Sequence, residues 1–298
     1  MQYRFLGKSN LAISEIGFGC MSLGNNDADN TRLLHHAMDQ GINFFDTADL
    51  YNHGQNEVTV GKALRQKRGD VIIASKVGNQ WNADGNSWSW NPRKGYILAT
   101  VEGSLKRLQT DYIDLYQLHG GTLEDPIDES IAAFELLKQQ GKIRHYGISS
   151  IRPNVIREYV KRSHMVSVMM QYSLLDRRPE ETCFPLLQEH HIGVLARGSV
   201  AKGLLVNKPA APYLNYTEKE VAAAAAAIKE MSNAGRDAAQ TALRFVLQQP
   251  AVSSTVVGIR TAAQLEDALR AVQAPALLPE EIAALQQAVR VNTYDQHR

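Results

Sequence analysis

Residues 71–77, VIIASKV, and 113–119, IDLYQLH, enclose a stretch of another kind, YILATVEGSLKRLQ at 96–109. The outer runs are short and almost wholly apolar, and each carries a basic side chain at or near its end, Lys76 in one and His119 in the other. Runs of this length and composition read as strands buried on both faces, as in a parallel sheet. The stretch between them spaces Ile97, Val101, Leu105 and Leu108 at helical intervals. Strand, helix and strand in that order make a βαβ unit. The unit recurs in both directions along the chain. Upstream strands are IGFGCM (16–21) and NFFDTA (43–48); downstream ones are HYGISS (145–150), VSVMMQY (166–172), GVLARG (193–198) and STVVGI (254–259). Helical segments fall between them: TRLLHHAMDQ (31–40), NEVTVGKALRQ (56–66), DESIAAFELLKQQG (128–141), NVIREYVKR (154–162), PLLQEHH (185–191) and AAQTALRFVLQQ (238–249). Two of these run into Gly41 and Gly141, where a left-handed residue closes a helix. The repeated alternation predicts an α/β fold closed into a single (β/α)8 TIM barrel, with a doubly wound open sheet as the alternative.

Three segments stand outside the repeats. YRFLGKSNLAIS (3–14) predicts an N-terminal β-hairpin turning at 7–10 and plugging the bottom of the barrel. Residues 206–233 read as a polar loop and then an Ala-rich helix, EVAAAAAAIKEM. The tail from Pro279 adds a C-terminal helix, EEIAALQQAVR. No low-complexity linker divides the 298 residues, so one domain, 1–298, is expected.

Composition narrows the partners. The chain is 44% hydrophobic and 21% charged, as soluble globular proteins are, and its formal net charge is +1. Without a basic run, neither nucleic acid nor an anionic membrane surface is an expected partner. No window approaches the roughly 18 apolar residues of a membrane span, and MQYRFLGKSNLAIS lacks the apolar core of a signal peptide. Cys20 and Cys183 lie far apart with no metal-ligand spacing. They read as small core or pocket residues in a reducing compartment, so a cytoplasmic location and no metal site are expected. GFGCMS lacks the third glycine of a dinucleotide fingerprint, and GKS at 7–9 lacks the upstream glycine of a phosphate loop.

In such a barrel the active site lies at the carboxyl ends of the strands. Asp46, Lys76 and His119 close three of the apolar runs, and Tyr51 follows Asp46 by five residues. Buried apart, the charged groups would be costly; mutual contact satisfies them. Together they make a general acid. A phenol, with an ordinary pKa of about 10, gives up its proton more readily beside an ammonium. A carboxylate keeps that ammonium charged, and a neutral histidine hydrogen-bonds the same carbonyl oxygen. The device suits protonation of an oxygen while hydride arrives at its carbon.

The stretch GINFFDTADLYNHGQNEVTVGKAL (41–64) resembles the first signature of the aldo-keto reductase superfamily. VIIASKVG, YIDLYQLHG, GKIRHYGISS and MMQYSLLDR resemble its later blocks in the same order, and the resemblance runs from Leu6 to Leu269. It looks closer to bacterial general-stress and inositol-operon reductases than to mammalian steroid or aldose reductases. The resemblance implies that Asp46, Tyr51, Lys76 and His119 form the catalytic tetrad and that the cofactor is NADPH, with NADH as a further candidate. It also implies cofactor contacts along the chain. Cys20 and Met21 would line the cofactor, Met21 the substrate as well. Ser149 and Gln171 would hold the nicotinamide carboxamide, and Arg197 would flank the nicotinamide or pyrophosphate. Gly198, Ser199, Lys202, Gly203 and Leu204 would cross the pyrophosphate, and Gly258, Ile259, Arg260, Gln264 and Asp267 would meet the adenosine end. Ser150 and Ala268 stand where relatives often carry asparagine.

The polar setting NQWNADGNSWSWN (79–91) reads as a loop after the third strand, with Trp81 favoured over Trp88 and Trp90 for the substrate pocket. The expected substrate is a small carbonyl compound. An alternative is a regulatory or redox-sensing subunit that retains the cofactor site, as potassium-channel β subunits resembling this family do. A third reading, an unrelated barrel lyase or isomerase, needs metal ligands or a Schiff-base lysine without the tyrosine.

Overall fold

The computed structural model describes all 298 residues. Its barrel strands are β1 (Ile16–Gly19), β2 (Phe44–Asp46), β3 (Ile72–Val77), β4 (Ile113–Leu118), β5 (Ile143–Ser149), β6 (Ser167–Gln171), β7 (Gly193–Arg197) and β8 (Val252–Gly258). Each pairs in parallel with its neighbour in sequence, and β8 closes on β1. The closed barrel therefore stands and the open sheet does not. The helices are α1 (Asp27–Asp39), α2 (Gln55–Leu64), α3 (Lys94–Leu108), α4 (Ile127–Gln139), α5 (Pro153–Arg162), α6 (Pro179–Glu189), α7 (Glu218–Glu230), α8 (Ala238–Leu247), α9 (Ala262–Gln273) and α10 (Pro279–Gln287). None is long and apolar enough to cross a membrane.

Alternation along each strand explains how one barrel carries both a core and a site. Phe44, Ala74, Leu115, Met169 and Leu195 join Leu6, Leu11 and Ile13 in one apolar cluster. Two residues further along the same strands, on the same inward face, stand Asp46, Lys76, Gln117, Gln171 and Arg197. The outward residues pack against the helices in a second, larger cluster. The N-terminal hairpin pairs Tyr3–Phe5 with Ala12–Ser14. Its Gly7, at φ +54°, lies so close to the barrel floor that a Cβ would stand 2.5 Å from the Val166 carbonyl. The hairpin plugs the bottom, as expected.

Several bounds differ from the sequence reading. β1 stops at Gly19, and Cys20–Ser22 coil into a 3-10 turn. β5 begins two residues early, because Ile143 pairs with Ile113. α6 begins at Pro179 rather than Pro185 and ends before the two histidines. Pro179 sits at its start, where a missing N–H leaves nothing unpaired, and Pro185 is carried inside. Residues 79–91 are not a plain loop. Asn79–Trp81 and Trp88–Trp90 form a two-stranded ribbon, Trp81 opposite Trp88. Asp84 Oδ1 holds its turn by accepting from the Asn86 and Ser87 N–H groups. Three-residue strands carry too little periodicity to be read in advance.

Candidate active site

The inward polar layer converges on one side chain. Lys76, 1% exposed, donates from Nζ to Asp46 Oδ2 at 2.7 Å, to the Thr47 carbonyl at 2.8 Å and to Tyr51 Oη at 3.2 Å. Because Tyr51 accepts from Lys76, its own hydroxyl proton remains available to a third group. Burial opposes the charge on Lys76, but the Asp46 carboxylate and Tyr51 carry its pKa above the ordinary lysine value. Burial in turn pushes Asp46 up, against the pull of Lys76. Gln117, on the same inward face, is fully buried with both amide atoms unpartnered.

Tyr51 is presented by an unusual turn. The residues after it, Asn52, His53 and Gly54, have φ of 48°, 54° and 80°. Left-handed backbone is costly for residues with a Cβ, though less so for Asn and His than for most. The His53 ring stacks on Trp81 at 3.7 Å between centroids, which holds the turn. His119 follows β4 and is anchored by its N–H to the Val77 carbonyl at 2.8 Å. Its ring stands edge-on to Tyr51, 5.9 Å away at 81°. Burial, then the charges of Lys76 and Arg197, push His119 down to about 3, so it is a neutral imidazole near pH 7.

These groups line a cleft of about 750 Å³ at the carboxyl ends of the strands. Of the residues singled out in sequence, Asp46, Tyr51, Lys76, His119, Met21, Ser149, Arg197, Gly198 and Gly258 meet there. Gln171 lies beside them, its Oε1 accepting from Arg197 at 3.1 Å and its Nε2 donating to Tyr213 at 2.8 Å. One amide proton and one lone pair remain on it.

Two expectations, those for Cys20 and Trp81, are corrected, and the other residues singled out are placed as follows. Cys20 is buried in the outer core, since the inward positions of β1 are Gly17 and Gly19. Its carbonyl accepts from Asn56 instead. Trp81 is not in the cleft wall, which Trp88 and Trp90 form; its ring is taken by His53. Ser199 is buried against Thr255, and Ile259 is fully buried in the core, which leaves the backbone of Ile259 to meet a ligand. Ala201, Lys202 and Gly203 all have positive φ, a tight turn that carries the chain on to buried Leu204. Arg260 lines a second groove of about 640 Å³ between α1 and the start of α9. Gln264 is turned onto the Arg260 N–H at 2.8 Å, and Asp267 is an exposed partner of Arg270.

The profile of the aldo/keto reductase family matches residues 15–290. The chain belongs to that family. Aldo-keto reductases are oxidoreductases that reduce carbonyl groups with a nicotinamide cofactor, and the chain is such an NAD(P)H-dependent enzyme. It is 51% identical over 307 residues to the uncharacterized oxidoreductase YqkF of Bacillus subtilis, with 100% of each chain covered. It is 50% identical to aldo-keto reductase AKR11C1 from Bacillus halodurans in its holo form, with a TM-score of 0.94, covering 100% of this chain and 99% of that one. The glycerol dehydrogenase AKR11B4 from Gluconobacter oxydans is 28% identical with a TM-score of 0.86, covering 96% and 94%.

The cleft suits a nicotinamide dinucleotide on its own terms. Gly19, Gly198 and Gly258 leave bare backbone at the ends of β1, β7 and β8, where a large ligand can approach closely. Ser149 and Gln171 offer the donor and acceptor that a carboxamide needs, and Arg197 offers a cation for a phosphate.

Proposed function

We propose that this aldo-keto reductase reduces an aldehyde or ketone to the alcohol with NADPH, Tyr51 giving the proton. The observation that carries the reading is Lys76 Nζ lying between Asp46 and Tyr51 on the floor of the cleft. A bound NADPH supplies the hydride. Tyr51 protonates the carbonyl oxygen as negative charge grows there. Lys76 stabilises the charge left on the phenol oxygen, and Asp46 keeps Lys76 charged and in place. His119, neutral and edge-on to Tyr51, has one N–H with which to hold the same carbonyl oxygen. Burial of Lys76 and Asp46 strengthens their interaction.

NADPH is preferred over NADH in this reading because of Arg260. Its backbone N–H is taken by Gln264 and its Nε by the Ser22 carbonyl, which leaves the terminal nitrogens for a 2′-phosphate. Gly258, in the cleft wall, lies two residues from Arg260 in the neighbouring groove, so one extended ligand can reach both. NADH remains the second cofactor. The regulatory-subunit alternative is not favoured.

The test is consumption of NADPH by the purified protein with 4-nitrobenzaldehyde, compared with NADH, in wild type and Arg260→Ala. The substitution is expected to lower kcat/KM for NADPH by about tenfold or more, the scale of one charged hydrogen bond, and to leave NADH unchanged. Equal losses remove Arg260 from the phosphate site. Binding of NADPH without turnover of any aldehyde would overturn the reductase reading and leave the regulatory one.

A further inference from the structure

The charges of the cleft do not balance. Asp46 is the only acid in its wall, and Lys76 neutralises it; Arg197 and Arg152 are left over. Arg197 is held at the cofactor end by Gln171. Arg152 stands elsewhere, three residues beyond the end of β5, half-buried, and it forms no ion pair with any carboxylate. The two acids nearby do not claim it. Asp125 is committed to Trp90 Nε1 at 2.9 Å and to the Thr122 N–H at 2.7 Å. Glu124 is fully exposed and, though near enough to feel the charge of Arg152, forms no ion pair with it.

What fixes Arg152 is the turn after His119. Gly120 and Gly121 have φ of +147° and +137°, which a residue with a Cβ rarely adopts. The turn brings the Gly121 carbonyl to Arg152 Nη1, which donates to it. One donor of the guanidinium is used and the rest of its planar fork is free. Two residues of chain span at most about 7 Å, so the turn that holds Arg152 stays close to His119, and both side chains line the same cleft. Trp88 and Trp90 wall the same cleft.

We propose that the substrate is an aldehyde or ketone bearing a carboxylate, with Arg152 binding the carboxylate while the tryptophans face the apolar stretch between the two ends. This substrate class rests on the reductase reading above. An unpaired cation in a half-dry wall is costly unless a ligand's charge answers it, and Arg is suited to bind a carboxylate in a two-pronged contact.

The test compares 4-formylbenzoate with its methyl ester, which keeps the ring and the aldehyde and removes the charge. Wild type is expected to favour the acid at least about tenfold in kcat/KM, mainly through KM. Arg152→Gln should lower the acid by about ten- to a hundredfold, the scale of a hydrogen bond to a charged group, and leave the ester unchanged. Arg152→Lys should restore part of the preference. A wild type that treats acid and ester alike, or an Arg152→Gln that loses both equally, overturns the proposal and makes Arg152 a tie for the Gly121 turn. Calorimetric binding of 4-formylbenzoate to the NADP⁺-loaded protein gives a second readout. If neither aldehyde turns over, the reductase reading has failed; loss of that binding in Arg152→Gln still supports the anion site, and unchanged or absent binding refutes it.

Discussion

At the lower mouth of the barrel Leu6, Leu11 and Ile13 of the hairpin fill the space between Phe44, Ala74, Leu115 and Leu195, with no charged side chain among them. At the upper mouth, two residues further along three of those strands and from Leu115 to Gln117 on a fourth, stand Asp46, Lys76, Gln117 and Arg197. The strands and the parity are the same; only the depth differs. Below, each apolar side chain packs among several others. Above, Asp46 has Lys76 as its only ion-pair partner, so loss of that one side chain leaves a buried carboxylate unpaired. One end of the barrel supplies stability, and the other spends some of it to hold chemistry in place.

Lys76→Met should break this contrast most severely. Asp46, 4% exposed, would lose its cation, at a cost of about 3–5 kcal/mol in unfolding free energy. Turnover should fall at least about a hundredfold. Adding Asp46→Asn to the same chain should recover most of the stability and none of the turnover, as urea titration and steady-state rates would show. A single variant as stable as wild type would mean the polar layer does not depend on that pair.

Leu6→Ala makes the opposite cut. Leu6 is fully buried, so truncation should cost about 2–5 kcal/mol while kcat stays near the wild-type value. A fall in kcat comparable to the loss of stability would show that the two mouths are mechanically coupled.

Smaller effects should appear as slopes of stability against pH, with opposite signs. His119 is held down to about 3, against about 6.5 in an unfolded chain. As pH falls through that window the unfolded chain takes up a proton that the folded one refuses, so stability declines, and His119→Gln should remove that part of the slope. Asp49 behaves in reverse. Burial, and then the nearby Glu57 carboxylate, push it up to about 8. As pH rises from about 4 to 8 the unfolded chain ionises this carboxyl while the folded one keeps its proton. Stability therefore declines with rising pH, and Asp49→Asn should flatten that limb. Urea midpoints across pH read both; unchanged slopes in the variants would contradict these assignments.

The barrel was legible because buried parallel strands are written as apolar runs, and several runs here carry a polar residue at or near the upper end. The same signal exposed Asp46, Lys76 and His119. Gln117 was missed although it shares their parity, since it lies inside an apolar run rather than at its end. Cys20 was misplaced for the same reason in reverse: β1 turns its glycines inward, and Cys20 falls on the outward face. Tyr213, which binds Gln171, comes from an insertion with no periodic neighbour to place it. Trp81 and Trp88 face each other across a ribbon too short to announce itself, so which tryptophan meets the cleft depended on the His53 stack.

The most direct measurement is kcat of Tyr51→Phe at saturating NADPH with 4-nitrobenzaldehyde, beside its NADPH dissociation constant by fluorescence. The substitution removes one oxygen, the acceptor of Lys76 Nζ and the proton donor to substrate. A fall of at least about a hundredfold in kcat with cofactor binding unchanged is expected. A variant that turns over at the wild-type rate would contradict Tyr51 as the acid and pass that role to His119.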